Sequence, residues 1–174
     1  QYMSSFLDKS IKPVVVIRGK IPATPKTLGG DEYFDTSEAQ LRYWSICQNE
    51  YYSQRVEACL YDEQITINPD GKFTIVTSTE ADRPENASEK CGVGFLPWPE
   101  NGDGFSIEEG REDHADDALV IVRNMQPMNG FDQAIQDTQK PGDEAEVLGE
   151  YLPSIEYFTT EEFEALGCDA YNAL

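Results

Sequence analysis

Leu41–Thr79 reads LRYWSICQNEYYSQRVEACLYDEQITINPDGKFTIVTST, and its reading decides the fold. Leu41–Cys47 is rich in β-formers and has no breaker, so it predicts a strand. Gln48–Ser53 is polar and aromatic, which suits a loop. Val56–Tyr61 resumes as a strand. Gln64–Asn68 alternates polar and apolar residues, and so does Lys72–Thr79, with Phe73 and Ile75 on one face. Between these two runs stands Pro69-Asp70-Gly71. Proline presets the first corner of a turn and glycine accepts positive φ, so the pair predicts a hairpin. The stretch also holds Cys47 and Cys59, placed where they lie across neighbouring strands. It reads as structural, not as an active site.

Outward from this stretch the same alternation of strands and turns continues. Pro13–Ile17 is a β-branched run closed by Gly19 and predicts a strand. Residues 1–12 are polar and aperiodic and read as an arm. Pro22, Pro25, Gly29 and Gly30 make 19–30 a turning loop. Phe95-Leu96-Pro97-Trp98-Pro99 is apolar but broken by prolines, which suits an edge strand or a packed loop. Residues 100–117 are acidic and glycine-bearing and read as a mobile loop. Ala118–Asn124, ALVIVRN, is a buried strand. Phe131–Asp137 suits a short helix. Thr159-Thr160-Glu161-Glu162 fits a capping box, with Gly167 at a left-handed C-cap, so a helix is expected over 160–166. Strands at intervals of about eight to twelve residues predict a mainly β fold: an antiparallel, jelly-roll-like β-sandwich with one or two short peripheral helices. The expected organisation is an extended N-terminal arm and first strand over 1–30, then a single sandwich domain over 31–174. A chain of 174 residues buries roughly 70% of its unfolded surface, enough for a core without a metal.

Charge narrows the function classes. Thirteen basic and 33 acidic residues give a net charge of −20. Such a field repels phosphate backbones and anionic headgroups, which argues against nucleic-acid and membrane-surface binding. It would attract cations or a protein partner, including a basic one or a subunit of a membrane complex; an acidic surface kept soluble in saline or extracellular surroundings is the simpler account, because net charge speaks to solubility before function. No apolar run of 18 residues exists to span a bilayer. A start at Gln1 fits a removed export signal or a trimmed chain. The four cysteines show no CxxC spacing, and the one histidine, His114, does not complete a zinc set. Two disulfides, Cys47–Cys59 and Cys91–Cys168, are the economical reading, placing the chain in a secreted, periplasmic or cell-surface location. Four free thiols in a cytosolic protein are the rival.

Candidate chemistry is sparse. A Ser-His-Asp site would rest on His114 in an acidic loop, and there is no GxSxG elbow. Carboxylates are plentiful; Asp62 and Glu150, each beside a tyrosine, are the pair to inspect for a hydrolase acting on glycans. Asn101-Gly102-Asp103 opens like an EF-hand loop, but Ser106 stands where that loop needs glycine. Asp103, Asp113, Asp116 and Asp117 remain as an irregular Ca²⁺ set; no other cofactor is implied. Asn86-Ala87-Ser88 is a glycosylation sequon in an expected surface loop. Trp98, Tyr151, Tyr51 and Tyr52 are loop aromatics able to stack on sugars or to form an interface.

Several short motifs follow one another along the chain: Tyr43-Trp44-Ser45, Leu60-Tyr61-Asp62, Asn68 to Ile75, Phe95-Leu96-Pro97-Trp98 and Leu119 to Pro127. This order resembles an uncharacterised family of bacterial exported domains over roughly residues 41–153. The resemblance implies a jelly-roll sandwich distantly similar in architecture to peptide-N-glycosidase F. It carries over no catalytic residues. The cysteine pair and the acidic 100–117 segment depart from the family pattern. The function expected is a non-catalytic exported binding or scaffolding module, such as an accessory subunit of an envelope or extracellular assembly. A carboxylate-based glycan hydrolase is the alternative.

Overall fold

A computed structural model of the chain describes residues 1–28, 38–105 and 114–172. Eight strands form two four-stranded sheets. The first sheet has the order β1 (Tyr2–Asp8), β7 (Asp117–Pro127), β3 (Leu41–Asn49), β4 (Val56–Tyr61), and every pair in it is antiparallel. The second has the order β6 (Val93–Pro97), β5 (Phe73–Ser78), β2 (Val14–Gly19), β8 (Ser154–Phe158). Its β5–β6 pair is parallel and the rest antiparallel. The expected mainly β sandwich is therefore present, with this one parallel pair inside it. The short helices are α1 (Glu144–Leu148), α2 (Thr160–Glu164) and single 3₁₀ turns.

The core between the sheets holds Trp44, Ile46, Phe73, Ile75, Ile17, Val120 and Leu96. Trp44 and Phe73, one from each sheet, meet with ring centroids 5.3 Å apart. A second cluster lies on the other face of the β2 sheet. There Val14, Val16, Val76 and Val93 pack beneath Phe163 of α2 and Ala170. Burial on both faces explains why β2 is a continuous apolar run instead of an alternating one. Disulfide Cys91–Cys168 ties this C-terminal cover to the start of β6, and Cys47–Cys59 joins opposite residues of β3 and β4. Both pairings match the sequence expectation. Among the described residues no helix is long and apolar enough to cross a membrane.

Local signals hold where they depend on local chemistry. Thr159 Oγ1 accepts from Glu162 N–H, the Glu162 carboxylate accepts from Thr159 N–H, and Gly167 takes φ 70°. The turn at Gly71 also forms, with φ 79° and Asn68 N–H donating to Lys72 C=O. The hairpin around it does not. Both edges of β5 are taken, by β2 and β6, so residues 64–68 find no ladder to join. Ile65 instead drops into the core and Ile67 stays exposed. Two further expectations are corrected. Residues 1–12 are no free arm, because Tyr2–Asp8 pairs along its whole length with β7. Over 131–137 only Ile135–Asp137 forms a 3₁₀ turn.

Candidate functional site

On two sides of the sandwich the edge strands of the sheets face each other: β4 packs on β6, and the side between β1 and β8 stays open. In β1, side chains alternate between Met3, Ser5 and Leu7 pointing inward and Tyr2, Ser4 and Phe6 pointing out. Leu7 is sealed at 2% exposure, while Met3 and Ser5 are only partly covered. β8 answers with Ile155 and Tyr157. Between them is an apolar cleft of about 390 Å³, floored by Ile17, Ile46, Val120 and Val122 and rimmed by Leu152, Pro153 and Ala145. Glu144 is its one charged lining residue, and its carboxylate accepts from Gly142 N–H at 2.8 Å. At one end the Tyr157 hydroxyl reaches Asp8 N–H at 3.3 Å and closes the opening.

The cleft can hold an apolar group by burial, and its serines and one acid do not compose a nucleophile–base pair. The size falls within the range of ligand sites, and so does the apolar lining with few polar groups.

The carboxylates singled out from sequence lie elsewhere. Asp62 sits in a second depression of about 500 Å³ with Lys20, Lys26 and Glu63. Its oxygens accept from Trp44 N–H at 3.3 Å and Glu63 N–H at 3.0 Å, so it closes the end of the β3–β4 ladder. Burial nonetheless raises its pKa above the ordinary 3.8. Glu63 is held below its ordinary value. Burial works against this, but the N–H groups of Thr27 and Leu28 and the Thr27 hydroxyl outweigh it. Glu150 is exposed and pairs with Lys20 at 3.0 Å. Lys20 thus borders Asp62 on one side and holds Glu150 on the other.

The Ca²⁺ set is not assembled among the described residues, and Asp113 lies outside them. Asp103 is buried in a turn and accepts from Phe105 N–H at 2.8 Å. Asp116 pairs with Lys9 at 2.7 Å, and Asp117 faces His114 at 3.4 Å. No group of three or more His, Cys, Asp or Glu side chains at metal-binding spacing exists among the described residues.

Two of the four interface aromatics are core residues. Trp98 is 4% exposed and its indole donates to Ala115 C=O at 3.3 Å. Tyr151 is buried and shares hydrogen bonds with Gln40. Tyr51 stacks on Phe6 at 4.9 Å, and the exposed Tyr52 on Phe105 at 4.3 Å. The sequon is internal as well. Asn86 Nδ2 donates to Phe163 C=O at 2.9 Å and to Gly167 C=O at 2.8 Å, so both amide hydrogens are spent holding α2.

Sequence reasoning missed a further buried carboxylate and the cleft itself. Glu50 accepts from the Ser53 hydroxyl, from Asn101 Nδ2 at 3.2 Å and from Arg55 Nε at 3.0 Å. Burial acts to raise its pKa, but these partners lower it on balance. It stays ionised and pins the 50–55 loop to the 101–104 turn.

No protein-family model matches the chain, and no curated protein matches it. Among solved structures it is similar to an uncharacterised protein from Burkholderia cenocepacia, with a TM-score of 0.48 and 12% sequence identity. That similarity covers 92% of this chain and 30% of the other, so the chain spans less than a third of that protein's length.

Proposed function

We propose that this chain is a non-catalytic, exported binding module, and that the group it binds enters the cleft between β1 and β8. One observation carries the reading: an apolar cleft of about 390 Å³, with a single charged lining residue, stays open to solvent between edge strands of the two sheets. Burying an apolar group there gains about 25 cal/mol per Å². Two disulfides favour an oxidising compartment, and the net charge of −20 favours a basic partner, as in an accessory subunit of an envelope assembly. Because residues 2–8 are spent in the sheet, binding does not use them as a reaching arm.

The test is titration with the neutral apolar dye N-phenyl-1-naphthylamine. Wild-type protein gives saturable fluorescence enhancement. Ala145→Trp, which puts an indole at the rim, removes it. Equal enhancement in both proteins places the dye elsewhere and sinks the reading.

A glycan hydrolase is the second reading, because Asp62 and Glu63 have their pKa values pushed apart within one depression. The likeness to the peptide-N-glycosidase F architecture belongs with it. Against it, both Asp62 oxygens already serve backbone N–H groups. Absence of product from N-glycopeptides and polysaccharides at pH 4–7 retires it.

A further inference from the structure

We infer that the occupant of the cleft is an extended segment of a basic partner protein, added to β1 as a fifth strand of its sheet; the inference rests on the binding reading above. It starts from hydrogen-bond parity. Gln1 and Asn124 exchange both backbone bonds, Gln1 N–H to Asn124 C=O at 3.1 Å and the reverse at 3.2 Å. Lys9 N–H donates to Asp116 C=O at 3.0 Å. Odd-numbered residues of β1 therefore bond to β7, and the even-numbered ones turn their N–H and C=O groups to the open edge. Asp8 N–H is covered by Tyr157 and Asp8 C=O accepts from Ile11 N–H. Tyr2, Ser4 and Phe6 remain, with six backbone groups over about 14 Å at about 3.4 Å per residue. Among the described residues no hydrogen bond reaches them.

Proteins blunt such edges with charge, proline or a bulge. The other three edges carry these devices. β4 has Glu57 and pairs across a register shift at Gln48/Asn49. β6 ends at Pro97. β8 follows Pro153 and bears Glu156. Between Tyr2 and Leu7 β1 has no charge, no proline and an unbroken register. The cleft lies directly beside this edge. Alternate side chains of an added strand point inward, into the space lined by Met3, Ser5 and Ile155. The edge supplies main-chain bonds and the cleft supplies side-chain burial, which are the two parts of strand addition.

Charge selects the partner. No lysine or arginine lines the cleft, Glu144 stands at its rim, and the chain carries −20. Basic residues flanking the inserted segment are favoured, while a second copy of this chain meets its own charge.

The probe is the synthetic peptide Lys-Thr-Val-Thr-Ile-Thr-Val-Lys, used on the full chain. It is expected to displace N-phenyl-1-naphthylamine and to slow hydrogen exchange at the amides of Tyr2, Ser4 and Phe6. The same peptide N-methylated at alternate residues on its bonding edge is expected to bind at least about tenfold more weakly. Replacing both terminal lysines by glutamate is expected to weaken binding about tenfold or more at low salt. Ser4→Pro, which removes one outward N–H and no bond to β7, is expected to abolish peptide binding. If that variant does not fold, the N-methylated peptide decides on wild-type protein. Dye binding without protection of the three amides, or equal affinity for the N-methylated peptide, overturns strand addition and leaves the binding reading standing. Failure of the dye to bind removes the binding reading itself. Protection of the same amides that grows with protein concentration alone makes a second copy the occupant and overturns the partner assignment.

Discussion

Removing the two disulfides separately tests how the C-terminal cover is held. Cys91–Cys168 closes a separation of 77 residues and Cys47–Cys59 one of 12. Loop-closure entropy then assigns about 4.5 kcal/mol to the first and about 2.8 kcal/mol to the second. The loops do not overlap in sequence, so the effects should add to about 7 kcal/mol in a chain lacking all four cysteines. Domains of this kind hold roughly 5–15 kcal/mol in total, which puts the four-fold variant near the edge of folding. The assay is guanidinium unfolding of Cys91→Ala/Cys168→Ala and Cys47→Ala/Cys59→Ala, followed by the fluorescence of Trp44 and Trp98. Both tryptophans lie in the core between the sheets, so they report the body of the fold and not the cover alone. The variant lacking Cys91 and Cys168 should lose the more stability. If it loses less than the other, the cover over Val14, Val16 and Val76 is held by Phe163 and its neighbours and not by the cross-link.

Three further outcomes are expected. Gln48 is fully buried and neither atom of its amide finds a protein partner among the described residues, so Gln48→Met should raise stability by about 1–3 kcal/mol in urea unfolding; a lower midpoint refutes this. Asp62 has its folded pKa raised, so the native state holds its proton more tightly and stability falls as pH climbs from 3.8 through that raised value. The stability of Asp62→Asn relative to wild type should therefore rise across that window and then level off; a difference that shrinks with rising pH contradicts the burial argument. Asn86→Asp keeps the size and removes both donors to Phe163 and Gly167, and should cost at least about 1–3 kcal/mol, with faster hydrogen exchange in α2 as the local readout.

What could be read from the sequence was what short-range chemistry decides. The Val14–Ile17 and Ala118–Asn124 runs, the capping box at Thr159 and the turn at Gly71 all carry their reason within a few residues. β1 was hidden because Ser4 and Ser5 interrupt it and both of its faces carry apolar residues, so no period of two stands out. The expected hairpin failed for a non-local reason: β5 is claimed by strands remote in sequence, and alternation in 64–68 says nothing about which edges are vacant. Trp98 and Asn86 lie on loops as the sequence suggests, and Tyr151 ends a 3₁₀ turn, but none of these positions reveals that the side chain points inward. The cleft was illegible because it follows from what β1 lacks, a neighbour on its outer edge.

The pairings also govern how the protein is made. β1 waits for β7, more than a hundred residues downstream, and β2 is not enclosed until β8 is available. Only Cys47 and Cys59 meet within a short local stretch; Cys91 waits for Cys168 near the end of the chain. Such a topology folds late and slowly, because long-range closure entropy must be met before any sheet is complete. A chain arrested before residue 117 has no partner for β1 and leaves Tyr2, Met3, Phe6 and Leu7 bare. While β7 is missing, Tyr2–Leu7 is therefore a segment a chaperone has reason to hold.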